Sequence, residues 1–410
     1  MNKLIVTRWR EHICTALADN RTILQINLEP EDSGTLLDNI YVGKVQNIKK
    51  NINSAFVDIG GGVTGYYSMT DNPIPIFAGV SPSGGISYDP SRPASKLKAG
   101  DEIIVQVAKD AVKTKSLVLT SRLTLTGKLA VVTLGKPGVG FSSKIHSSAW
   151  KAEIRPYLQE ETENKFSLIA RTNAKDASLE ELLEEVRRLK EQLISILSRA
   201  SSRKCYSLLY QGPSAFLTGI RNAYADQLEE IVTDDEQLFS QIREFLQQHQ
   251  PEDEKKLRFY QDNLLSLTKL YSLEKIMEEC LGKRVWLKSG GYLVIEPTEA
   301  LVVIDVNTGK YSEKKTVQET ILKINLEAAE EIARQLRLRN LSGIILVDFI
   351  DMEEDKHKQL LLEHLEKVVR NDPIKTNVVD ITRLNLVELT RKKIQRPLYE
   401  QLAGIAIKEN

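Results

Sequence analysis

Two short apolar runs, each ending in an aspartate, constrain the fold of this chain more than any other feature. Residues 301–304 (LVVI) precede Asp305, and residues 344–347 (IILV) precede Asp348. Short β-branched runs of this kind are typical of buried strands. Between them, residues 314–340 repeat apolar side chains at helical spacing. The sequence therefore predicts a strand–helix–strand unit.

Polar side chains collect at the carboxyl ends of these two strands. In such a unit the strands run parallel, so we expect Asp305 and Asp348 to lie close together, with Asn307 beside them. Two carboxylates and an amide form an oxygen-rich site for a hard cation such as Mg²⁺. The alternative is that both acids only cap strands or helices, and spacing alone leaves both interpretations open. Asp380, in a later predicted strand, is a further candidate for the acidic cluster.

Composition limits the classes of protein to which the chain can belong. Its 410 residues, 41% of them hydrophobic, are enough for two to four domains with real cores. The formal charge is zero, so any polyanion-binding surface has to be local. No apolar run reaches membrane-spanning length, and the N-terminus lacks the apolar segment of a signal peptide. Three cysteines without a CxxC pair fit a reducing compartment and argue against disulfides and a cysteine zinc site, so we expect a soluble cytoplasmic protein.

The region before residue 122 has the pattern of a small barrel. Apolar strands in residues 40–67 and 101–120 are separated by glycine and asparagine turns, which indicates a small antiparallel barrel. Residues 71–95, rich in Pro, Gly and Ser, are predicted to form a surface loop. Candidate RNA-binding residues on the barrel are Phe56, Tyr66, Lys44, Lys109, Lys113, Lys115 and Arg122. The alternative is that the rings belong to the core and the lysines to an ordinary solvated surface.

A third candidate site follows the apolar strand of residues 166–170. Arg171 and Thr172 come next, and an arginine beside a hydroxyl can grip a terminal phosphate. The more common use of such an arginine is an ion pair, here with Glu180 or Glu181.

The C-terminal region carries a second basic stretch. Residues 388–393 are predicted to begin a basic helix, from which Arg391 and Lys392, together with Arg383, could face a phosphate backbone. Residues 223–232 and 235–249 are also predicted to be helical.

The order of several sequence phrases resembles the catalytic half of the ribonuclease E/G family. The phrases are IYVGKVQNI, AFVDIG, ART, SGGYLVIEPTEALVVIDVNTGK, NLEAAEEIARQLRLRNLSGIILVDFIDM and VELTRKKIQRPL, and the resemblance runs over nearly the whole chain, from residue 4 to about residue 402. Residues 289–352 are the most specific part. The resemblance implies an Mg²⁺-dependent, single-strand-specific endoribonuclease of RNA processing or decay. Such an enzyme leaves a 5′-phosphate and a 3′-hydroxyl and is stimulated by a 5′-monophosphate.

The resemblance also implies the architecture, an α+β and α/β multidomain chain. Its parts would be an RNase H-like part (residues 1–35 and 211–278), an inserted S1-type OB-fold (36–122, with the 71–95 loop), a 5′-end sensor domain (123–210), a DNase I-like catalytic domain (279–402) and a short tail (403–410). The strands of residues 1–35, too few for a domain, would then rejoin residues 211–278.

Matched position by position, the family implies roles for single residues. Asp305 and Asp348 would bind one Mg²⁺ per active site, where Mn²⁺ could replace it, and Asn307 would support them. The remaining roles are 5′-monophosphate sensing by Arg171, Thr172, Gly127 and Val131, and RNA binding by Phe56, Tyr66, Lys109 and Lys115. Tyr66 stands where the family more often has Phe. The implied mechanism is metal-assisted hydrolysis, in which an activated water attacks the scissile phosphate in line.

The C-terminal end departs from the family pattern. It reads RPLYEQLAGIAIKEN, without a CPxCxG motif, so neither zinc nor a zinc-linked dimer is expected; a dimer through other surfaces and a monomer both stay open. Without the scaffold region of larger members, maturation of rRNA or tRNA precursors fits better than a role as a degradosome hub. The expected partner is A/U-rich single-stranded RNA, including mRNA, in a bacterial cytoplasm or a plastid stroma. The alternative functions are a non-catalytic RNA-binding module, which the aspartate set disfavours, and a ribosome-assembly factor.

Overall fold

The computed structural model describes residues 2–20, 22–31, 35–78, 93–109, 116–222, 228–262, 264–309, 317–394 and 396–403. The chain divides into two compact units. The first contains Met1–Glu31, Gln227–Arg243 and Lys255–Asn410, and the second contains Asp32–Asp226 and Glu244–Glu254.

The strands of the described residues, in chain order, have the following bounds. The first half contains β1 (Asn2–Trp9), β2 (His12–Asp19), β3 (Thr22–Pro30), β4 (Ile40–Lys49), β5 (Ser54–Asp58), β6 (Thr64–Ser68), β7 (Ile76–Phe77), β8 (Glu102–Lys109), β9 (Val118–Thr120), β10 (Thr124–Thr126), β11 (Ala130–Leu134), β12 (Gly138–Phe141) and β13 (Phe166–Ala170). The second half contains β14 (Leu208–Tyr210), β15 (Leu228–Thr233), β16 (Leu257–Phe259), β17 (Arg284–Trp286), β18 (Tyr292–Pro297), β19 (Leu301–Asn307), β20 (Gly343–Asp348), β21 (Thr376–Ile381) and β22 (Leu386–Arg391).

The helices are bounded in the same way. They are α1 (Ser148–Glu161), α2 (Leu179–Ala200), α3 (Ala215–Asn222), α4 (Glu236–His249), α5 (Leu267–Leu270), α6 (Leu273–Leu281), α7 (Val317–Leu338), α8 (Asp355–Val369) and α9 (Leu398–Gln401). Of the helices described, none combines the length and the apolar character that crossing a bilayer requires.

A six-stranded sheet in the first unit contains the predicted strand–helix–strand unit. Its order is β17-β18-β19-β20-β22-β21, and β19 and β20 are parallel, as the sequence predicts. One face packs on α7 and α8 through a core that includes Ile304, Val347 and Ile324. The opposite face of this sheet, called the open face below, carries the alternate residues of each strand.

The predicted basic helix at residues 388–393 is wrong, because residues 386–391 form β22. This strand pairs with both β20 and β21. Val387 and Leu389 are buried in the core, whereas Glu388 and Thr390 are half-buried on the other face, which is the period-two pattern of a strand.

A five-stranded sheet joins distant parts of the first unit in the order β16-β15-β1-β2-β3. The N-terminal strand β1 pairs in parallel with β15, so residues 1–31 share a sheet with residues 228–259. The helix predicted for residues 223–232 is therefore wrong from residue 228 onward, and residues 223–227 lie outside the described residues. At the other edge of this sheet, the Leu28 N–H donates to the Gln401 side chain of α9 at 2.8 Å.

The second unit contains the predicted barrel. Five strands form a closed barrel in the order β4, β5, β6, β9 and β8, because β4 pairs with β8 as well as with β5. The barrel is not wholly antiparallel, since β6 and β9 are parallel. Part of the predicted loop is also structured: Ile76 and Phe77 form β7 against β8, while residues 79–92 lie outside the described residues.

A four-stranded sheet follows the barrel in the order β10-β11-β13-β12. One face packs on α1 and α2 through residues such as Val132, Leu168 and Leu193. Helix α2 begins with a capping box, in which Ser178 and Glu181 each bond the other's backbone N–H. The Glu181 side chain therefore caps the start of α2, its own helix.

Candidate active site

The two predicted aspartates lie at the same level of adjacent strands. Asp305 of β19 and Asp348 of β20 are Cα register partners in the parallel ladder. Both face away from α7, because the alternating neighbours Ile304 and Val347 are buried in the core. Asp305 is half-buried and Asp348 is exposed, so the pair is open to solvent.

The third predicted residue orients one of the two carboxylates. Asn307 lies two residues beyond Asp305 on the same face of β19, and its Nδ2 donates to Asp305 Oδ2 at 2.8 Å. This bond fixes the Asp305 carboxylate and leaves its other oxygen for another ligand.

A third carboxylate, Asp351, follows β20. Partial desolvation against the sheet raises the pKa of Asp348 although the residue is exposed, and the negative charges of Asp305 and Asp351 raise it further. The Asn385 side chain, in the β21–β22 turn, donates to Asp351 at 3.3 Å. Sequence reasoning missed Asp351; its spacing of three from Asp348 in DFIDM was the available signal.

A buried asparagine side chain of α7 anchors the segment that carries Asp348 and Asp351. Asn325 of α7 is fully buried, and its Nδ2 donates to the Ile350 carbonyl at 2.8 Å while its Oδ1 accepts from the Ile350 N–H at 3.1 Å. The N–H and the carbonyl of Ile350 are thereby both hydrogen-bonded to α7. Sequence reasoning missed this residue too, because its role depends on a contact across the βαβ unit.

The donor set fits a hard cation. Among the described residues, no group of three or more His, Cys, Asp or Glu side chains is arranged to enclose a metal ion. Mg²⁺ does not need such a cage, because it commonly binds one or two carboxylates and completes its shell with water and substrate phosphate. The Asp305–Asp348 pair supplies two carboxylates, and their mutual repulsion is what a cation relieves.

Asp380 does not extend this pair. It lies on β21, and β22 separates that strand from β20. Its backbone register partner is Glu388, and its carboxylate accepts a hydrogen bond from the Ile381 N–H at 2.8 Å. The expectation that Asp380 could join the acidic cluster is therefore wrong.

The two C-terminal arginines proposed to face RNA differ in position. Arg383 is exposed in the turn between β21 and β22. Arg391 is buried on the face of β22 that packs on the core, so its assignment as an RNA-binding residue is wrong. Its guanidinium forms an ion pair with Asp372 at 2.7 Å and donates to Asn340 at 2.9 Å.

Arg171 and Gly127 come together at one end of the four-stranded sheet. The Arg171 guanidinium donates to the Gly127 carbonyl and, at 2.7 Å, to the Asn222 side chain. Thr172 follows, and a hydrogen bond of 2.9 Å joins its hydroxyl to that of Ser142. These contacts orient the guanidinium and the hydroxyl at the carboxyl end of β13.

Val131 lies on the face of the same sheet that does not pack on α2. It pairs with Ile169, which is 41% exposed. Val131 therefore lies near the end of the sheet where Gly127, Arg171 and Thr172 meet, on the face opposite α2, whereas Gly127 is turned towards α2.

A buried carboxylate supports the turn before β11. Glu185 of α2 accepts hydrogen bonds from the backbone N–H groups of Leu129 at 2.7 Å and Ala130 at 2.8 Å. Burial raises its pKa, and these backbone bonds oppose the shift. A Cβ at Gly127 would collide with the Glu185 carboxylate, so a larger residue there would force that carboxylate to shift. Sequence reasoning did not identify Glu185.

The barrel brings three of its predicted residues into one row. Phe56 of β5 pairs with Tyr66 of β6, which pairs with Val118 of β9, which pairs with Lys109 of β8. The Phe56 and Tyr66 rings meet edge to face at 6.2 Å. Both rings are half-buried outside the barrel core, so the alternative of core aromatics is wrong here.

Not every predicted barrel residue joins this row. Lys44 is exposed but belongs to another row, where its register partners are Asp58 and Glu102. Lys113 and Lys115 lie outside the described residues.

Comparison with known proteins gives a consistent result. A model of the ribonuclease E/G family matches residues 124–394. The chain is 33% identical over 383 residues to Ribonuclease G of Haemophilus influenzae, covering 93% of this chain and 78% of the relative. It is 32% identical over 390 residues to Ribonuclease G of Escherichia coli K12, with 95% and 79% covered. Ribonuclease E of a Nostoc species is 33% identical over 368 residues, which is 89% of this chain but 52% of the relative.

Proposed function

We propose, from the premise that this chain belongs to the ribonuclease E/G family, that it hydrolyses single-stranded RNA at the Asp305–Asp348 pair. Membership makes the chain an endoribonuclease, a hydrolase of phosphodiester bonds in RNA processing. The finer proposal is that the reaction needs Mg²⁺, leaves a 5′-phosphate and a 3′-hydroxyl, and is stimulated by a 5′-monophosphate. The observation that carries the metal-dependent hydrolysis is the register pairing of the two carboxylates on an open sheet face.

Asp305 and Asp348 would hold the cation. When bound, Mg²⁺ neutralises charge on the scissile phosphate and activates water as the nucleophile. Asn307 keeps the Asp305 carboxylate in one orientation through its 2.8 Å hydrogen bond. Asn325 holds the backbone after Asp348 in the same way. Preorganised groups of this kind favour the transition state because they need no rearrangement during the reaction.

The products follow from which oxygen leaves the phosphorus. Attack by water, in line with the departing 3′-oxygen, leaves the phosphate on the 5′ end of the downstream fragment. The site offers carboxylates and amides around the reacting phosphate, a donor set that suits metal-assisted hydrolysis.

Two further surfaces would serve this reaction. The Phe56–Tyr66–Lys109 row on the barrel offers rings for base stacking and a cation for a phosphate, the combination used by single-strand binding barrels. Arg171 and Thr172 would contact a 5′-terminal phosphate, with Gly127 and Val131 shaping the site. On this basis we assign residues 36–122 as an S1-type domain, residues 123–210 as a 5′-end sensor and residues 279–402 as a DNase I-like catalytic domain.

The test is cleavage of a fluorescent A/U-rich single-stranded RNA with and without Mg²⁺, using matched 5′-monophosphate and 5′-hydroxyl ends. We expect Mg²⁺-dependent cleavage, products with 5′-phosphate ends and a faster rate for the monophosphate. Equal rates in EDTA would overturn the assignment of a metal at the aspartate pair. Equal rates for the two 5′ ends would overturn the sensor assignment alone.

A further inference from the structure

A cluster of two aromatic rings and an arginine lies on the open face of the six-stranded sheet. Trp286 of β17 and Tyr292 of β18 have ring centroids 5.3 Å apart. The Arg284 guanidinium carbon lies 4.5 Å from the Tyr292 ring centroid and 5.7 Å from that of Trp286. Three side chains that commonly bind nucleobases are thus in mutual contact.

The register of the strands ties this cluster to the active site. Trp286 pairs with Tyr292, which pairs with Asn307. In the next row Arg284 pairs with Val294, the partner of Asp305. With neighbouring strands about 4.8 Å apart, Trp286 lies about 10 Å from Asn307 along the sheet.

The cluster is not part of the hydrophobic core. Trp286 is 63% exposed, whereas Val285, the residue between it and Arg284, packs against the core on the other face. Among the described residues Arg284 forms no ion pair, so its charge is available to a ligand. Exposing a large indole to water is unfavourable unless something covers it.

The hairpin that presents these rings is anchored. Glu327 of α7 accepts hydrogen bonds from the backbone N–H groups of Lys288 at 2.7 Å and Ser289 at 3.3 Å, in the β17–β18 turn. The Leu287 N–H also donates to the Gly291 carbonyl at 2.8 Å. A fixed hairpin lets the rings bind a ligand without first becoming ordered.

We propose that Trp286, Tyr292 and Arg284 form a stacking platform for one nucleobase of the RNA, beside the scissile phosphate. This proposal rests on the proposed function, because it assigns the platform to the same substrate. Rings take a base face without demanding a sequence, and the Arg284 charge suits the phosphate of the same nucleotide. The charge also offsets part of the repulsion that the two aspartates exert on an approaching RNA strand.

The first experiment measures binding without cleavage. In an Asp305→Asn background of the whole chain, the affinity for a short A/U single-stranded RNA is measured by fluorescence anisotropy. Trp286→Ala should weaken binding about 5- to 100-fold, the range expected when one stacked base loses its ring, and Trp286→Phe should recover most of it. Tyr157→Ala, which removes an exposed ring from α1, is the matched control and should leave the affinity unchanged.

The second experiment asks whether the contact is direct. RNAs with a single abasic nucleotide at successive positions are bound to the Asp305→Asn protein with and without the additional Trp286→Ala substitution. At one position next to the cleavage site the Trp286→Ala penalty should vanish, because the stacked base is already gone. Quenching of tryptophan fluorescence by RNA should also disappear in Trp286→Phe, since Trp9 is buried and Trp150 packs against Phe141.

The outcomes separate the platform from the proposed function. Normal cleavage with unchanged affinity and an unchanged abasic profile in Trp286→Ala would overturn the platform alone. If Trp286→Ala weakens RNA binding as expected but the protein with Asp305 intact never cleaves the RNA, the proposed function is overturned while the platform is supported. Loss of self-association on sedimentation in Trp286→Ala, with RNA affinity intact, would mean that a second copy of the chain covers the rings and would also overturn the platform.

Discussion

Asp305 and Asp348 are register partners across the parallel β19/β20 ladder, and Asn307 fixes the carboxylate of the first. Asp305→Asn and Asp348→Asn should each lower the cleavage rate by about three orders of magnitude, because each removes charge that holds the cation at the reacting phosphate. RNA affinity should change by less than about threefold. Asp380→Asn, the same change on another strand of the sheet, should cleave like the parent. Parent-like cleavage by Asp305→Asn would refute the site.

Arg171 should control the response to the 5′ end of the RNA. Arg171→Ala should reduce the monophosphate-to-hydroxyl rate ratio to about one, a loss of roughly 10- to 100-fold if one charge-assisted contact is removed. Cleavage of 5′-hydroxyl RNA should stay unchanged. Lys136→Ala, which removes an exposed cation from the turn after β11, provides the control. A preserved ratio in Arg171→Ala would show that the phosphate is read elsewhere.

The barrel row should contribute to affinity rather than to chemistry. Phe56→Ala and Tyr66→Ala should each weaken RNA binding about 5- to 100-fold, because each removes a ring available for base stacking. Tyr66→Phe keeps the ring and loses only the hydroxyl that contacts Ser54 at 2.7 Å, so its affinity should stay near that of the parent. Anisotropy titrations with Ile52→Ala as an exposed control would check this. Equal weakening in Tyr66→Phe and Tyr66→Ala would contradict stacking.

Gly127 and Glu185 should be energetically coupled. Gly127→Ala should destabilise the fold by about 1–3 kcal/mol, because the added methyl group meets the buried Glu185 carboxylate. In a Glu185→Ala background the same change should cost much less, since the obstructing group is gone. Urea unfolding of the four proteins of the cycle measures the coupling. Additive effects would show that the turn relaxes around the methyl group.

The stability of the protein should fall in mild acid because of His249. Burial lowers the pKa of His249 to about 4, and the positive charges of Arg188 and Arg221 add to the shift. An unfolded histidine has a pKa of about 6.5, so between these values the unfolded chain binds a proton that the folded chain excludes. Stability is therefore lost as the pH falls from about 6.5 towards 4.

The measurement is urea unfolding at pH 7 and pH 5. The parent should lose about 1–2 kcal/mol more than His249→Gln between these pH values. His146→Gln, which replaces an exposed histidine, should follow the parent. Identical losses in the parent and in His249→Gln would place the acid sensitivity elsewhere.

The sequence predicted the central part of the fold because local and global signals agree there. The run before Asp305, the helical repeat after it and the run before Asp348 each favour the element that forms. A strand–helix–strand order makes the two strands parallel, and in a parallel pair the carboxyl ends of both strands lie at the same edge of the sheet. The family membership and the closed barrel were also within reach of the sequence.

Elsewhere, long-range pairing overrides local preference. Residues 228–232 (LEEIV) contain good helix formers, but they lie between β1 and β16 and extend to pair with both. Residues 388–391 (ELTR) are drawn into β22 by β20 and β21, and this also turns Arg391 towards the core. The local amino-acid composition of a segment does not predict which strand it will pair with.

The supporting residues of the site were missed for a related reason. Asn325 binds the backbone of Ile350, and Glu185 binds the backbone of Leu129 and Ala130. Backbone contacts of this kind leave no mark on the sequence of the segment that is held. They become visible only once the helix and the turn are side by side.

The sharing of one sheet by β1 and β15 also has a consequence for biosynthesis. β1 is synthesised about 200 residues before its parallel partner β15, which is roughly 10–40 s at usual elongation rates. By the time β15 is synthesised, all strands of the barrel and of the four-stranded sheet have been made, while the β15-pairing edge of β1 is still without its partner. The five-stranded sheet therefore cannot be completed until β15 has been made, and a chaperone would be most useful to the nascent chain during that delay.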